Sequence, residues 1–452
     1  VKKIYLCLFA FSVTTFSYSQ TVNIPDANFK SALIALGVDK NKNNEIEENE
    51  ANSVVSLNLN NKSISDLTGI EAFTGITQLI CSNNSITELN LSKNTLLTRL
   101  VVNSNKLSIL DISALTKLTE LQFTFNSLTS IDLSANIGLV TLVGNYNKLS
   151  ELNISHLNLS RLECSYNLLT QLDVSKNINL TSVLCSANKL TGTLDLSKNT
   201  ALTYISCDYN QLSSLAMADS IKVTVLNCNN NKITSLNVQN KTELTTLNVS
   251  GNLIQNLDLS NLSKLKTFTA TNNKISGFDF SKSPELQTIY IGINPVTGID
   301  LSSNGKLVNF FCNSTKITNL DFTLNPLLAQ FDATGNPQLT KICVTDSAAA
   351  AANVKFKKDA AAQYSEDCSI ITATVSTSGE SEIIVNPNPG TENFNLNIPF
   401  ESEVTITDRE GKVVEKFINV NQLNFGSSYS PGVYFVSISG KESGKVLKVV
   451  KY

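Results

Sequence analysis

Between residues 54 and 351 the chain restates one pattern about every 21 residues, and a period of that length marks a stacked coil rather than a globule. The clearest copy runs Leu79-Ile-Cys81-Ser-Asn-Asn84-Ser-Ile86. It returns as Leu162-x-Cys164-x-x-Asn167, Leu226-x-Cys228-x-x-Asn231 and Leu247-x-Val249-x-x-Asn252. A single copy cannot bury its own apolar side. Stacking buries it against the copies before and after, and leaves long, regular rows of side chains outside. Such a scaffold is suited to binding and offers few converging groups for catalysis.

Within each copy the Leu-x-Leu/Cys alternation reads as a short strand with both apolar residues inward. The inward slot holds Cys81, Cys164, Cys185, Cys207, Cys228 and Cys312, and elsewhere Val102, Phe123, Val249 or Ala270. Exchange with apolar residues marks these thiols as packing groups. Three residues further on stands an asparagine column: Asn84, Asn105, Asn126, Asn147, Asn167, Asn188, Asn210, Asn231, Asn252, Asn273, Asn294 and Asn336, with Thr315 in one copy. A buried amide there is expected to bond the backbone of adjacent turns. A second alternation (Leu89-x-Leu91, Leu110-x-Ile112, Leu172-x-Val174, Leu320-x-Phe322) predicts strands on the other side of the coil too. Three-residue spacing from Ile64 to Ile76 predicts a 3₁₀ or helical stretch in the first copy.

This pattern resembles the leucine-rich repeat family, in its 21-residue bacterial form, over about 300 residues. The resemblance implies a mainly β fold: a leucine-rich-repeat β-solenoid with short helical caps, whose strand face binds proteins or other large ligands. Open ends of a solenoid need lids. Residues 20–53 are expected to cap the front, with a short helix over 26–36, ahead of repeats at 54–346. Residues 347–371 are expected to cap the rear, helical from Ser347 to Gln363. Cys343 is expected to point outward beside inward Ile342 and Val344, and to form a disulfide with Cys368 that pins this cap.

Catalytic signatures are lacking. No Ser/His/Asp triad, Cys/His pair or HExxH motif occurs, and the one histidine, His156, falls at an exposed corner; we expect no enzyme activity. Asp39-Lys-Asn41-Lys-Asn43-Asn44-Glu45-Ile46-Glu47-Glu48-Asn49-Glu50 matches a 12-residue EF-hand-type calcium loop. Asp39, Asn41, Asn43, the Glu45 carbonyl, Glu47 and Glu50 would be the ligands, with Asn44 in the usual glycine place. An outer acidic column (Asp111, Asp132, Asp173, Asp195, Asp258, Asp279, Asp300, Asp321) is expected to stabilise turns through neighbouring serines.

Candidate ligand contacts lie on the outward strand positions and their edge: Val101, Phe125, Val143, Tyr146, Tyr166, Leu184, Tyr209, Tyr290 and Phe311. Aromatic residues clustered outside are typical of contact hot spots. Strand propensity is the competing explanation. With a formal net charge of −3, the chain has no basic excess to attract nucleic acid.

Both ends read as export signals. Residues 1–19 resemble a signal peptide, with Lys2 and Lys3, an apolar run from Ile4 to Val13, and small residues at Ser17 and Ser19. Residues 372–382 read as a Ser/Thr-rich linker. From 383 to 452 the period stops, and about seven short strands predict a small β-sandwich. This segment resembles the C-terminal sorting domain of the Bacteroidota type IX secretion system in Asn386-Pro387-Asn388-Pro389, Asp408-Arg-Glu-Gly411-Lys412, Pro431-Gly432-Val433-Tyr434 and its basic end. The resemblance implies the secretion machinery as a partner and a secreted or outer-surface location. We therefore expect a binding or adhesion module with an unknown protein or glycan ligand. A glycan-binding component of a polysaccharide-utilising system and a self-associating envelope protein are the alternatives.

Overall fold

The computed structural model describes residues 20–368, 384–386, 394–409, 411–430, 432–439 and 445–451. The expected signal peptide and linker lie outside the described residues, as do Pro387–Pro389. Two compact units divide after Tyr364.

The first unit is the expected coil. Fifteen short strands form one sheet, each pairing in parallel with its neighbours in the stack. Registers are strict: Leu79 lies beside Leu100, Leu100 beside Leu121, and Leu121 beside Leu142. Those leucines and the cysteine column form a continuous buried core. Truncating one such rung to alanine would cost about 2–5 kcal/mol. At strand spacing the stack is on the order of 65 Å long.

The asparagine column closes each turn as expected. Asn105 donates through Nδ2 to Cys81 O (3.0 Å) in the preceding repeat and to Val102 O (3.1 Å) in its own, while Ile86 N donates to its Oδ1 (3.1 Å). Asn167, Asn231, Asn252 and Asn294 repeat the same bonds.

The other side of the coil differs from expectation. It is strand only at Thr191–Leu196 with Gln211–Met217, and at Asn319–Asp321 with Lys341–Cys343 and Gln363–Ser365. Elsewhere it is a stack of tight turns closed by i to i−3 bonds, such as Asn94 N to Leu91 O (3.0 Å) and Leu97 N to Asn94 O (3.1 Å). A second amide ladder replaces strand pairing there. Asn94, Asn136, Asn177, Asn199, Asn304 and Asn325 are buried, and each Nδ2 bridges two carbonyls of the repeat before it. Their Oδ1 atoms take no hydrogen bond. Where Leu157 occupies this slot, the ring of exposed His156 brings Nε2 to Leu133 O (3.0 Å), replacing one of the missing bonds.

Helix Ala27–Ala35 lids the front, capped by Asp26, and puts Phe29 and Leu33 on the first repeat. The three-residue spacing there resolves as a 3₁₀ turn at Ile70–Ala72. At the rear only Ser347–Ala352 is helical, shorter than the expected run to Gln363. Phe356–Lys358 instead completes the long sheet against Gln330–Ala333, because Phe356 finds the Phe331 ring at 4.6 Å. Asp359 then accepts from Gly335 N (3.0 Å) and Asn336 N (2.7 Å), supplying the acceptors a further repeat would have offered.

In the second unit the described residues form one antiparallel sheet of five strands. Phe394–Asp408 and Val413–Phe425 are long, and their mutual register shifts at three places. Segments expected as separate strands, such as Phe394–Ile398 and Val404–Ile406, are parts of one bent strand. The sheet has its own core, which includes Phe394, Val404, Ile406, Phe425 and Val436.

Candidate functional site: an aromatic edge beside the strand face

In each repeat the second residue past the inward Cys/Val slot has a left-handed backbone. Asn83, Ser104, Phe125, Tyr146, Tyr166, Ala187, Tyr209, Asn230, Gly251, Asn272, Ile293, Ser314 and Gly335 all have φ between 51° and 71°. Asparagine and glycine tolerate this conformation. Bulky residues do not, at roughly 1–2 kcal/mol each. Yet four of these positions carry aromatic rings. Strand propensity cannot explain them, because they sit in the turn after the strand.

Phe125 stacks on Tyr146 (centroids 4.1 Å apart, planes 12°), and Tyr146 on Tyr166 (4.1 Å, 8°). Exposure follows the stack: 53% for Phe125, 39% for the middle ring Tyr146, 49% for Tyr166, and 59% for Tyr209, which stacks on no ring. Other candidates fare differently. Tyr290 and Phe311 stack at 4.3 Å on neighbouring strands, Tyr290 exposed and Phe311 half-buried. Val101 and Val143 are buried, contrary to expectation, and Leu184 is half-buried. Their registers explain it: Val101 lies between Ile80 and Gln122, and Val143 between Gln122 and Glu163, whose longer side chains overtop them.

Beside the ring stack lies an open groove of about 390 Å³, lined by Asn145, Tyr146, Ser165, Tyr166, Leu184, Ser186, Ser206, Asp208, Asn227, Asn229 and Asn248. Its floor is polar and hydrogen-bonded. Ser186 and Ser206 both donate to Asp208 Oδ1, Ser165 N donates to Asn145 Oδ1 (2.8 Å), and Asn248 Nδ2 to Asn229 Oδ1 (3.2 Å). Sequence reading missed Asp208, Ser186 and Ser206. Asp208 was findable as an acid in a slot that otherwise holds Ser, Thr, Asn or Gly.

The front loop wraps as an ion loop would. Asp39 accepts from Asn43 N (3.2 Å) and Asn44 N (2.9 Å), Asn41 from Asn43 N (3.0 Å), and Asn43 from Glu45 N (2.8 Å). Asn44 takes the left-handed turn at φ 63°. The Glu45 side chain leaves the loop to pair with Lys30 Nζ (2.7 Å). Glu50 is buried and accepts from Lys40 N (2.6 Å), Asn41 N (3.3 Å) and Glu47 N (3.1 Å). A hydrogen bond with the Glu50 side chain and another from Asn43 hold Glu47 below the usual carboxylate range. The donor set fits a hard cation, which would have to take Glu50 from its backbone partners.

The acidic column sits in its turns. Asp111, Asp132, Asp173 and Asp195 each accept from the serine N–H two residues on, and those bonds hold their carboxyls below the usual range. The cysteine column is fully buried, and desolvation pushes Cys81, Cys164 and Cys228 up to about 12. Of the two rear cysteines, Cys343 lies in register with exposed Asp321 on the outward side of its strand, opposite core residue Ile342 as expected, yet it is covered there, and the half-buried Cys368 donates to Ser365 O (3.4 Å).

Comparison with known proteins fits this geometry. Residues 384–452 match the secretion system C-terminal sorting domain family, which directs the chain through type IX secretion to the cell surface or the extracellular space. Internalin J of Listeria monocytogenes is 42% identical over 86 residues, which are 18% of this chain and only 9% of that protein. A solved structure described as the functional domain of InlJ from Listeria monocytogenes, including a cysteine ladder, matches with a TM-score of 0.69. Its identity is 28%, covering 96% of this chain and 99% of that one. An internalin, InlF, of the same species matches at TM-score 0.60 and 24% identity, over 69% of this chain and 95% of its own. The Leptospira interrogans leucine-rich-repeat protein LIC12759 shares the fold, at TM-score 0.55 and 17% identity, over 70% of this chain and 97% of that one. The chain is thus internalin-like in its repeats, a fold that typically serves as a binding scaffold. No helix among the described residues is long and apolar enough to cross a membrane.

Proposed function

We propose that this protein is an adhesive binding module, displayed on or released from the cell, that captures a large ligand on the aromatic edge between Phe125 and Tyr209. The observation that carries this is the placing of Phe125, Tyr146, Tyr166 and Tyr209 on left-handed backbone. The two stacked pairs return about 0.5–1.5 kcal/mol each, roughly half of the backbone cost of the three stacked rings. Tyr209 has no such return. Strain held without a packing reason clusters at sites kept for function. The module acts by binding, without turnover of its ligand.

A screen of the full chain against immobilised proteins and glycans, followed by the triple variant Phe125→Ala/Tyr146→Ala/Tyr166→Ala, tests this. The triple variant is expected to fold, since Ala187 already occupies the same turn, and to lose at least tenfold in affinity. Undiminished capture by a folded triple variant would overturn the proposal.

We also propose that the loop Asp39–Glu50 takes calcium as a structural ion for the front cap. Asp39, Asn41, Asn43, the Glu45 carbonyl, Glu47 and Glu50 would hold it. Supporting this are the loop's wrapped backbone and the close approach of Glu47 to Glu50.

A further inference from the structure

The left-handed turn column carries a gap. Tyr166, Ala187 and Tyr209 stand in three successive repeats, held in register by Tyr166 N to Ser186 O (2.8 Å) and Ala187 N to Asp208 O (2.9 Å). Before the gap, rings in adjacent repeats stack at 4.1 Å. At Ala187 the ring is missing. The far face of Tyr166 is therefore uncovered, and Tyr209 stands alone at 59% exposed. Two repeats of strand spacing put the flanking rings about 8–10 Å apart, which is the thickness of one flat ring in contact on both sides.

We infer that this gap is a recognition slot in which one sugar ring of a neutral glycan lies sandwiched between Tyr166 and Tyr209, over Ala187. The inference rests on the aromatic edge being the binding surface, and adds the class of ligand. The slot borders the polar groove at Tyr166, which lines it together with Ser186 and Asp208, the residues preceding Ala187 and Tyr209. There Asp208 spends one carboxylate oxygen on Ser186 and Ser206, and its Oδ2 has no hydrogen-bond partner among the described residues. With Asn227, Asn229 and Asn248, the groove presents a carboxylate, amides and hydroxyls to a ligand rich in hydroxyl groups. A sugar ring has an apolar C–H face for the tyrosines and an equatorial rim of hydroxyls for this floor. Apart from the tyrosines, Leu184 is the one apolar side chain in the lining, which makes the groove more polar than the core of a protein–protein interface. None of the lining residues is a lysine, arginine or histidine, so nothing in the groove would neutralise an acidic sugar.

The substitution Ala187→Tyr tests this by filling the slot with the chain's own ring. Tyrosine is already accepted in this turn at Tyr166 and Tyr209, so the variant should fold. The full chain and its Ala187→Tyr and Ala187→Gly variants would be measured by calorimetry against neutral oligosaccharides (gluco-, manno-, xylo- and chito-series) and against an acidic oligogalacturonate. The wild type and Ala187→Gly are expected to bind a neutral series, and Ala187→Tyr to lose at least tenfold. Full binding by Ala187→Tyr, when the Phe125/Tyr146/Tyr166 triple variant has lost it, would overturn the slot and leave the aromatic edge standing. Absence of neutral-glycan binding by the wild type at millimolar concentration would overturn the ligand class. So would capture in the slot of a peptide aromatic side chain in its place.

Discussion

The two amide ladders differ in a way that stability measurements can resolve. Asn252, in the column beside the sheet, donates to Cys228 O (3.0 Å) and Val249 O (2.9 Å) and accepts from Ile233 N (3.0 Å). Asn252→Ala strands the Ile233 N–H in a site that is 5% exposed, while Cys228 O and Val249 O lose one donor each and keep Asn231 Nδ2 (3.1 Å) and Asn273 Nδ2 (3.0 Å). At about 1–3 kcal/mol for the unsatisfied N–H and about 0.5–1.5 kcal/mol for each of the two lost carbonyl bonds, the loss should be about 2–6 kcal/mol. Asn304, in the ladder on the far side, donates to Phe280 O (3.2 Å) and Ser283 O (2.9 Å), but its own Oδ1 is buried without a partner. Other repeats fill that slot with Ser283 or Leu262. Asn304→Leu loses two carbonyl bonds but strands nothing, since Phe280 O keeps Ser283 N (3.0 Å) and Ser283 O keeps Leu286 N (3.3 Å), and it removes an existing orphan, so it should cost no more than about 1–2 kcal/mol. Urea unfolding followed by circular dichroism reads the difference. Hydrogen exchange at Ile233, whose N–H loses its acceptor, localises it, which matters because long repeat arrays need not unfold in one step. If Asn252→Ala cost less than Asn304→Leu, the hydrogen-bond reasoning for both ladders would be wrong.

Three further outcomes are expected. The buried thiols, pushed up to about 12 at Cys81, Cys164 and Cys228, should not react with Ellman's reagent at pH 8 until urea is added. The sign of their linkage is that stability is whole below about pH 9 and declines as pH rises from there toward 12, because only the unfolded chain can ionise them; unfolding midpoints at pH 7.5 and 10 would show it. Calcium should raise the melting temperature of the wild type but not of Glu50→Gln, and an equal rise in both would remove Glu50 as a ligand. A chain lacking residues 384–452 should stay within the cell envelope when expressed in a host with type IX secretion, and its appearance in the medium would contradict the sorting role.

The core was legible because every rung is restated: Leu79, Leu100, Leu121 and Leu142 declare an inward column by repetition alone. Asn105 and its column mates were legible for the same reason. The second ladder was not, since Asn94 and Asn136 alternate with Leu115 and Leu157 and so resemble ordinary loop residues. The sign of φ is invisible in any single residue, so Tyr146 and Tyr166 read as strand-edge aromatics. The signal lay in their column mates, because Asn83, Asn230, Gly251 and Asn272 are residues that favour the left-handed turn. Val101 and Val143 were misread as contact residues because alternation gives direction only. Cover comes from the lengths of the neighbours above and below. The rear cap was overextended as a helix because alanine content favours one, while Phe356 gains more by closing the sheet on Phe331.

The aromatic edge as a surface retained for binding, and not for folding, is tested most directly at Tyr209, which stacks on nothing. Tyr209→Asn puts in its place the residue that Asn230 already contributes to the next turn. Melting temperature and ligand capture, measured side by side on the full chain, should show stability unchanged or higher and capture weakened at least tenfold. A variant that melts several degrees lower and still captures ligand like the wild type would contradict it.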